Sequence, residues 1–300
     1  MRLLHIDTGR EMRGGQWQVV YLMERLAAAG HKVTLLARPG SPLYVKAKAE
    51  AFDVRPADVL ALPRVSLEAD LVHVHDAHSH TLAAMASARP VVVSRRVAFP
   101  VKTHRLSRWK YARAQCYIAV SQYVKARLVE AGIAEDRVTV VYDGVPLEPV
   151  AEAGAGGLVV APATEDPRKG TAMVRAAAAQ AGIEVHFSHD LARDLPRATA
   201  LVYISEEEGL GSGVLLAMAA GVPVVASRVG GLVEAVVDGE TGLLVENTPA
   251  AIAAALVRLR DDPVSARSLG AAGRRRAEEC FSAERMVEQT LRVYDRVLSC

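Results

Sequence analysis

A chain of 300 residues, 51% apolar and 5% aromatic, can fill two ordinary cores, and the usual size of domains favours two. Its three cysteines, Cys116, Cys280 and Cys300, stand far apart with no C-x-x-C or Cys/His ligand spacing; this argues against a disulfide framework and a zinc site and fits a reducing cytoplasm. MRLLHID is too short an apolar opening for a secretory leader, no run reaches the roughly 18 apolar residues of a membrane span, and the net charge is only +2.

In chain order, Leu3 to Ile6 reads as a buried strand, and Gln16 to Ala29 as a helix with Val19, Val20, Leu22, Met23, Leu26 and Ala27 at helical spacing. Gly30 ends that helix, and VTLLA within His31 to Arg38 supplies a second strand, completing a parallel strand-helix-strand unit. Strands follow at Leu71–His75, Val91–Ser94 and Tyr117–Val120, then a helix from near Ser121 and a strand at Val138–Tyr142. From Pro146 to Gly157 the sequence PLEPVAEAGAGG loses apolar periodicity, as a linker does. The rhythm then restarts with strands at Leu158–Ala161, Val185–Ser188, Ala200–Ile204 and Val222–Ala226, and helices near Thr171–Ala181 and Val214–Ala220. Thr248 and Pro249 open a helix running to Arg260, and Ser282 is the expected cap of the last one. The expected fold class is α/β with mostly parallel sheets, in which ligands bind beyond the carboxyl ends of the strands.

Charge is unevenly spread. Residues 1–150 hold 21 Lys and Arg against 14 Asp and Glu, and residues 151–300 hold 15 against 20. No acidic residue occurs between Asp76 and Glu130, an interval that contains Arg89, Arg95, Arg96, Lys102, Arg105, Arg108, Lys110, Arg113, Lys125 and Arg127. Such a stretch attracts phosphates or an anionic membrane surface, and ordinary solvated helix faces are the plainer explanation.

Two segments carry chemistry. Gly14 and Gly15 precede a helix, where the backbone can approach a ligand and unpaired N–H groups face an anion; a structural turn is the alternative for a lone glycine pair. Ser205–Ser227, SEEEGLGSGVLLAMAAGVPVVAS, puts Glu208 and three glycines between a strand and a helix. That loop suits a phosphate at the helix N-terminus and hydroxyls on the carboxylate. His73, His75, His78 and His80 cluster near a strand end, where a metal site and hydrogen-bonded structural histidines are both conceivable.

With these segments in view, the chain resembles the retaining GT-B glycosyltransferases of family 4. GGQWQVVYLMERLAAAGHKVTLL, DLVHVHDAHSH, IAVSQYVKARLVEAGI, VVYDGV, EEGLGSGVLLAMAAGVPVVAS and GGLVEAVVDGETGLLV occur in the family's order over nearly the whole chain. The resemblance implies two Rossmann-like domains facing each other across a cleft, 1–147 on the acceptor side and 158–300 binding the nucleotide sugar. The linker is 148–157, the C-terminal domain is shortened, and the last helix is able to pack back on the first domain. It further implies that Gly14 and Gly15 contact the donor phosphates, that His75 lies near the donor sugar, and that Lys169 in PRKG neutralises the departing diphosphate. Glu208 with the N–H groups of Gly209, Leu210 and Gly211 would hold sugar hydroxyls, and Ser212, Gly213, Val214 and Leu215 would hold the phosphate. No metal and no cofactor beyond the nucleotide sugar is implied.

Three departures alter that pattern. Leu216 stands where the family has a second glutamate for the ribose hydroxyls, Thr164 where it has an arginine, with Arg168 beside Lys169 as the candidate replacement, and the segment 182–205 lacks a longer strand-helix-strand insertion. The expected activity is sugar transfer to a glycan or lipid-linked acceptor of the cell envelope or a lipopolysaccharide, with Arg95, Arg96, Lys102 and Arg105 on the acceptor or membrane side. No nucleic-acid partner is expected, and the expected location is the cytoplasm, with peripheral contact at the inner membrane face. The rival reading is a protein that keeps the fold without turnover and serves as a sugar-nucleotide sensor or partner subunit.

Overall fold

The computed structural model describes residues 1–101, 104–147 and 157–299, so Lys102 and the linker residues 148–156 lie outside the described residues. The chain divides into two compact units, Met1–Asp143 joined by the segment from Ala283 onward, and Gly144–Ser282.

The first unit alternates strands and helices: β1 (Arg2–Asp7), α1 (Gly14–Ala28), β2 (Lys32–Ala37), α2 (Pro42–Ala49), β3 (Asp53–Pro56), α3 (Leu62–Leu67), β4 (Leu71–Val74), α4 (Ala77–Ala86), β5 (Val91–Arg95), α5 (Arg105–Ala112), β6 (Cys116–Ala119), α6 (Gln122–Glu130) and β7 (Val138–Val140). The strands form one parallel sheet in the order β3-β2-β1-β4-β5-β6-β7, a doubly wound arrangement with its switch point between β1 and β4. Burial on both faces fits the mostly apolar β4 and β6, while β1 also buries the polar His5 and Asp7. Polar side chains start the helices: Ser41 accepts from Tyr44 N, with Pro42 at the first position of α2, Asp76 accepts from His78 N and Ser79 N, and Ser121 from Val124 N. Apolar spacing in the sequence does not mark α2 to α5, which are only six to ten residues long.

The second unit contains β8 (Leu158–Pro162), α7 (Thr171–Ala181), β9 (Val185–Ser188), α8 (Leu191–Asp194), β10 (Ala198–Tyr203), α9 (Ser212–Ala219), β11 (Val224–Ser227), α10 (Leu232–Ala235), β12 (Leu243–Val245), α11 (Pro249–Asp261) and α12 (Pro263–Cys280). Its five parallel strands run β12-β11-β10-β8-β9, the other common doubly wound order, with the switch point between β8 and β10. Only the four-residue α8 and one turn of 3-10 helix separate β9 from β10, so β9 is the edge strand on that side. Thr248 caps α11 through Ala251 N, with Pro249 at its first position.

The last helix, α13 (Ala283–Ser299), belongs to the first unit although it follows the second in sequence. Met286, Val287, Val293 and Tyr294 form its buried stripe and join the core of Leu22, Leu26, Leu35 and Leu71. The C-terminal unit therefore ends at Ser282, before α13.

Candidate functional site

In the second unit, the loop after β10 is held from three sides. Ser205 N donates to Ser227 Oγ at 2.9 Å, and Asn247 Nδ2 donates to Ser205 O at 2.9 Å. Gly231 N donates to Glu208 O at 3.0 Å. A Cβ on Gly230 would lie 2.3 Å from Glu208 O, and one on Gly231 1.8 Å from Gly209 O, so only glycines let this backbone press on the loop. The glycine pair of GGLVEAVVDGETGLLV, in sequence only part of a family pattern, thus fixes where Glu208 sits.

Glu208 faces Lys169. Lys169 Nζ donates to Glu208 Oε2 at 2.5 Å, and Tyr203 OH donates to the same oxygen at 3.0 Å. Gly209 N donates to Oε1 at 3.2 Å. Lys169 is delivered by a one-turn 3-10 segment capped by Asp166, and Gly170, at φ 64°, turns the chain into α7. Tyr203, at the carboxyl end of β10, is a residue that motif reading missed; burial and the neighbouring Glu208 carboxylate push its hydroxyl well above the ordinary tyrosine range.

The helix N-terminus beside this group narrows the expected phosphate contacts. Val214 N and Leu215 N already donate to Gly211 O, at 2.9 and 3.1 Å. Their side chains are buried, so Val214 and Leu215 offer nothing to a ligand, contrary to the expectation from the motif. Among the described residues, the N–H groups left open are those of Leu210, Gly211, Ser212 and Gly213. Leu216 lies one turn beyond Ser212 and is half-exposed. Arg168 does not take the place of the family's arginine in this arrangement, because its guanidinium grips Asp166 in a two-pronged pair at 2.9 and 2.6 Å. Thr164 Oγ1 accepts from Asp166 N at 3.1 Å and steadies the same turn.

In the first unit, Gly14 and Gly15 form the first turn of α1 rather than preceding it. Gly15 is not required by its own fold: its φ lies outside the left-handed region, and an added Cβ would meet only Arg96 Cδ, at 3.9 Å. The loop before them is pinned by two carboxylates. Asp7 accepts from Gly9 N at 2.8 Å and Asp76 from Thr8 N at 2.6 Å. Burial and the nearby Asp76 raise the Asp7 carboxyl above its usual range.

The histidine cluster is His5, His73 and His75, not the group of four expected from sequence. The β1–β4 register sets His5 beside His73, and the two-residue period puts His75 on the same face. His78 is exposed in the first turn of α4, and His80 packs edge-on against Tyr111 and Tyr117. Arg96 Nη1 lies 3.0 Å from His75 Nδ1, while Arg96 Nε donates to Asp143 Oδ1 at 2.9 Å. A guanidinium can only donate, so His75 carries its proton on Nε2 and gives it to His5 Nδ1 at 2.9 Å. His73 bonds Tyr294 OH at 2.6 Å and Ser94 Oγ at 2.8 Å. Burial, reinforced by Arg96, holds His73 and His75 well below the ordinary histidine range and takes His5 down to about 3. Nitrogens of the three rings come within 4.8 Å of one another, but with Arg96 against them the arrangement suits neutral, hydrogen-bonded imidazoles better than a cation. His75, expected to reach a donor sugar, has both ring nitrogens engaged and is buried.

The acid-free interval does not form one basic face. Arg96 is a correction to the expected acceptor or membrane side: its side chain is 10% exposed and committed to Asp143 and His75. Arg95 is half-buried and donates to Phe99 O at 2.5 Å. Lys110 and Arg113 donate to the carbonyls of Ala77 and Ala84 in α4. Arg105 and Arg108 remain exposed on α5, next to Leu106 and Trp109, which are 74% and 44% exposed.

Comparison with known proteins agrees with this architecture. Residues 12–149 match the family described as Glycosyltransferase Family 4, and residues 158–262 match Glycosyl transferases group 1. The alpha-maltose-1-phosphate synthase of Mycolicibacterium smegmatis is 44% identical over 117 residues, 37% of this chain and 30% of that protein. The D-inositol 3-phosphate glycosyltransferase of Streptomyces avermitilis is 44% identical over 98 residues, 32% of this chain and 21% of that protein. The chain thus spans less than a third of the length of these curated relatives. Among solved structures, Anabaena Alr3699/HepE in complex with UDP and glucose superposes with a TM-score of 0.86 at 15% identity, over 99% of this chain and 100% of that one. The lipopolysaccharide outer core galactosyltransferase WaaB gives 0.73 at 15% identity, over 99% and 100%. These matches, over two parallel Rossmann-like sheets and with Lys169 and Glu208 joined at one strand end, show that the chain belongs to the family 4 glycosyltransferases of GT-B fold.

Proposed function

We propose that the protein transfers a glycosyl unit from a nucleotide diphosphate sugar to a glycan or lipid-linked acceptor, with retention at the anomeric carbon and without a metal ion. The observation that carries this reading is the group in the second unit: a lysine on Glu208, beside a glycine-rich turn whose N–H groups from Leu210 to Gly213 are open among the described residues. A fixed cation and a row of aligned N–H dipoles stabilise the charge that develops on a departing diphosphate, the task a metal performs elsewhere. Glu208 supplies acceptors for sugar hydroxyls. Anabaena Alr3699/HepE, matched along its whole length, has been crystallised with UDP-glucose, which supports a nucleotide sugar as donor for a fold of this size.

Titration calorimetry with UDP-, GDP- and ADP-sugars tests the donor class: one should bind, and failure of all three to bind would overturn the reading. Gly15→Ala sharpens the test. It should leave stability unchanged or slightly raised, as expected for alanine in a helix, yet weaken the donor, because the added methyl occupies space that no protein atom needs. An equal affinity for the donor would remove Gly15 from the site.

The finer proposal concerns the acceptor. Exposed Leu106 and Trp109, each next to a basic residue, Arg105 or Arg108, match an anionic lipid surface, where each basic residue contributes about 1 kcal/mol and aromatic rings sit at the headgroup level. This supports peripheral attachment at the inner membrane face and an acceptor of the cell-envelope or lipopolysaccharide kind. The joint change Arg105→Ala with Arg108→Ala should weaken sedimentation with phosphatidylglycerol vesicles about 30-fold. Equal sedimentation with anionic and neutral vesicles would contradict the attachment. A second reading, a binding or partner subunit without turnover, is favoured by Leu216 on α9 and by Arg168 being held on Asp166. Donor binding without release of nucleoside diphosphate would select it.

A further inference from the structure

Tyr203 lies beside Glu208, Lys169 and the first turn of α9. Its hydroxyl donates to Glu208 Oε2 at 3.0 Å, the oxygen that also receives Lys169 Nζ at 2.5 Å. Lys169 Nζ lies 5.8 Å from the centre of the Tyr203 ring. The ring also underlies the first turn of α9, since a Cβ on Gly213 would come within 2.9 Å of Tyr203 Cε2. Register explains the placement: Tyr203 is the last residue of β10, paired with Ala226 of β11, and the chain turns from there into the glycine-rich loop.

The two donors on one oxygen pose a chemical problem. Lys169 cannot give its full charge to a diphosphate while it is bonded to Glu208, and the Glu208 side chain is only 15% exposed. A carboxylate so poorly hydrated resists losing its cationic partner unless another donor stays. The Tyr203 hydroxyl is that donor, and burial beside the carboxylate keeps it protonated and able to donate. We propose that Tyr203 is a positioning residue of the donor site: its hydroxyl holds Glu208 so that Lys169 can leave the carboxylate for the donor diphosphate, while its ring seats the first turn of α9.

This inference rests on the reading of Lys169 as the diphosphate-binding cation, and the test separates the two. UDP, with GDP and ADP in parallel, is titrated into the unsubstituted chain, Lys169→Ala, Tyr203→Phe and the double variant. Lys169→Ala should weaken the best-binding nucleotide at least tenfold, and Tyr203→Phe about tenfold, in keeping with loss of a hydrogen bond to a charged group. In the Lys169→Ala background, Tyr203→Phe should have almost no further effect, because the hydroxyl acts by releasing the lysine. Glu208→Gln removes the charge that detains Lys169 and should likewise make Tyr203→Phe neutral for binding, a comparison that stays informative if Tyr203→Phe lowers stability. An unchanged affinity in Lys169→Ala, or no binding of any nucleotide to the unsubstituted chain, would sink the parent reading. Weakening by Lys169→Ala with none by Tyr203→Phe, or an undiminished effect of Tyr203→Phe in both backgrounds, would overturn the role given to Tyr203.

Discussion

Lys169→Ala is expected to lower sugar transfer by about 10²- to 10³-fold, the usual cost of removing one fixed group that stabilises developing charge in a water-poor site. The loss should fall mainly on the catalytic rate, because the lysine interacts more strongly with the departing diphosphate than with the bound donor. Lys169→Arg should rescue little. A guanidinium keeps the charge, but its planar fork matches a carboxylate in two-pronged fashion, so it should stay on Glu208 rather than pass to the diphosphate as the ammonium does. Stability should change little, since Lys169 is about a third exposed and its pairing with Glu208 is partly screened by solvent. Steady-state rates with saturating donor decide the matter, and an undiminished rate would refute the assignment.

Acid should unfold the first unit well before carboxylate protonation alone would do so. His5, His73, His75 and His80 are all buried, and burial lowers each below the unfolded value of 6.5, His5 and His80 to about 3. A base whose folded pKa is depressed binds its proton more readily in the unfolded chain. The native state is therefore favoured above pH 6.5 and loses stability as pH falls from there toward the folded values. Each histidine contributes at most about 1.4 kcal/mol per pH unit, a slope reached only well below pH 6.5, so four together remove several kcal/mol by pH 5, a large share of the stability of an ordinary domain. Asp7 works in the opposite direction. Its raised carboxyl favours the folded state as pH falls through the range above 3.8 and offsets a part of the loss. Denaturant unfolding from pH 8 to pH 5 should show a plateau above 7 and a steep decline below 6.5. A flat profile across that interval would show that these imidazoles are not held neutral.

The alternation of strands and helices was legible in the sequence wherever an element was long and evenly patterned, as in α1 and α7, or ended in strong signals such as Thr248-Pro249. Short helices such as α5, whose eight residues bury only Ser107, carry no buried apolar stripe to mark them in the sequence. Lys169 and Glu208 are each marked as site residues by family order, but their direct contact and the residues that hold it are not. Tyr203 looks like one more apolar strand residue, and Gly230 and Gly231 act by backbone approach, which leaves no mark in composition. The placing of α13 and Tyr294 with the first unit, and the joining of His5 to His73 and His75, depend on strand register and contacts more than 60 residues apart. Arg96 shows the limit most clearly. A run of basic residues without acidic ones suggested a surface, yet its partner Asp143 lies 47 positions away, where no local pattern could reveal it.

The reaction proposed for this chain moves a sugar from a nucleotide diphosphate to an acceptor. Its most direct test is the release of nucleoside diphosphate from UDP-, GDP- and ADP-sugars, with and without a crude lipid extract as acceptor and with a metal chelator throughout. One donor class should yield nucleoside diphosphate, faster with the extract, undiminished by the chelator and lost in Lys169→Ala. No release from any donor, or equal release by Lys169→Ala, would contradict it.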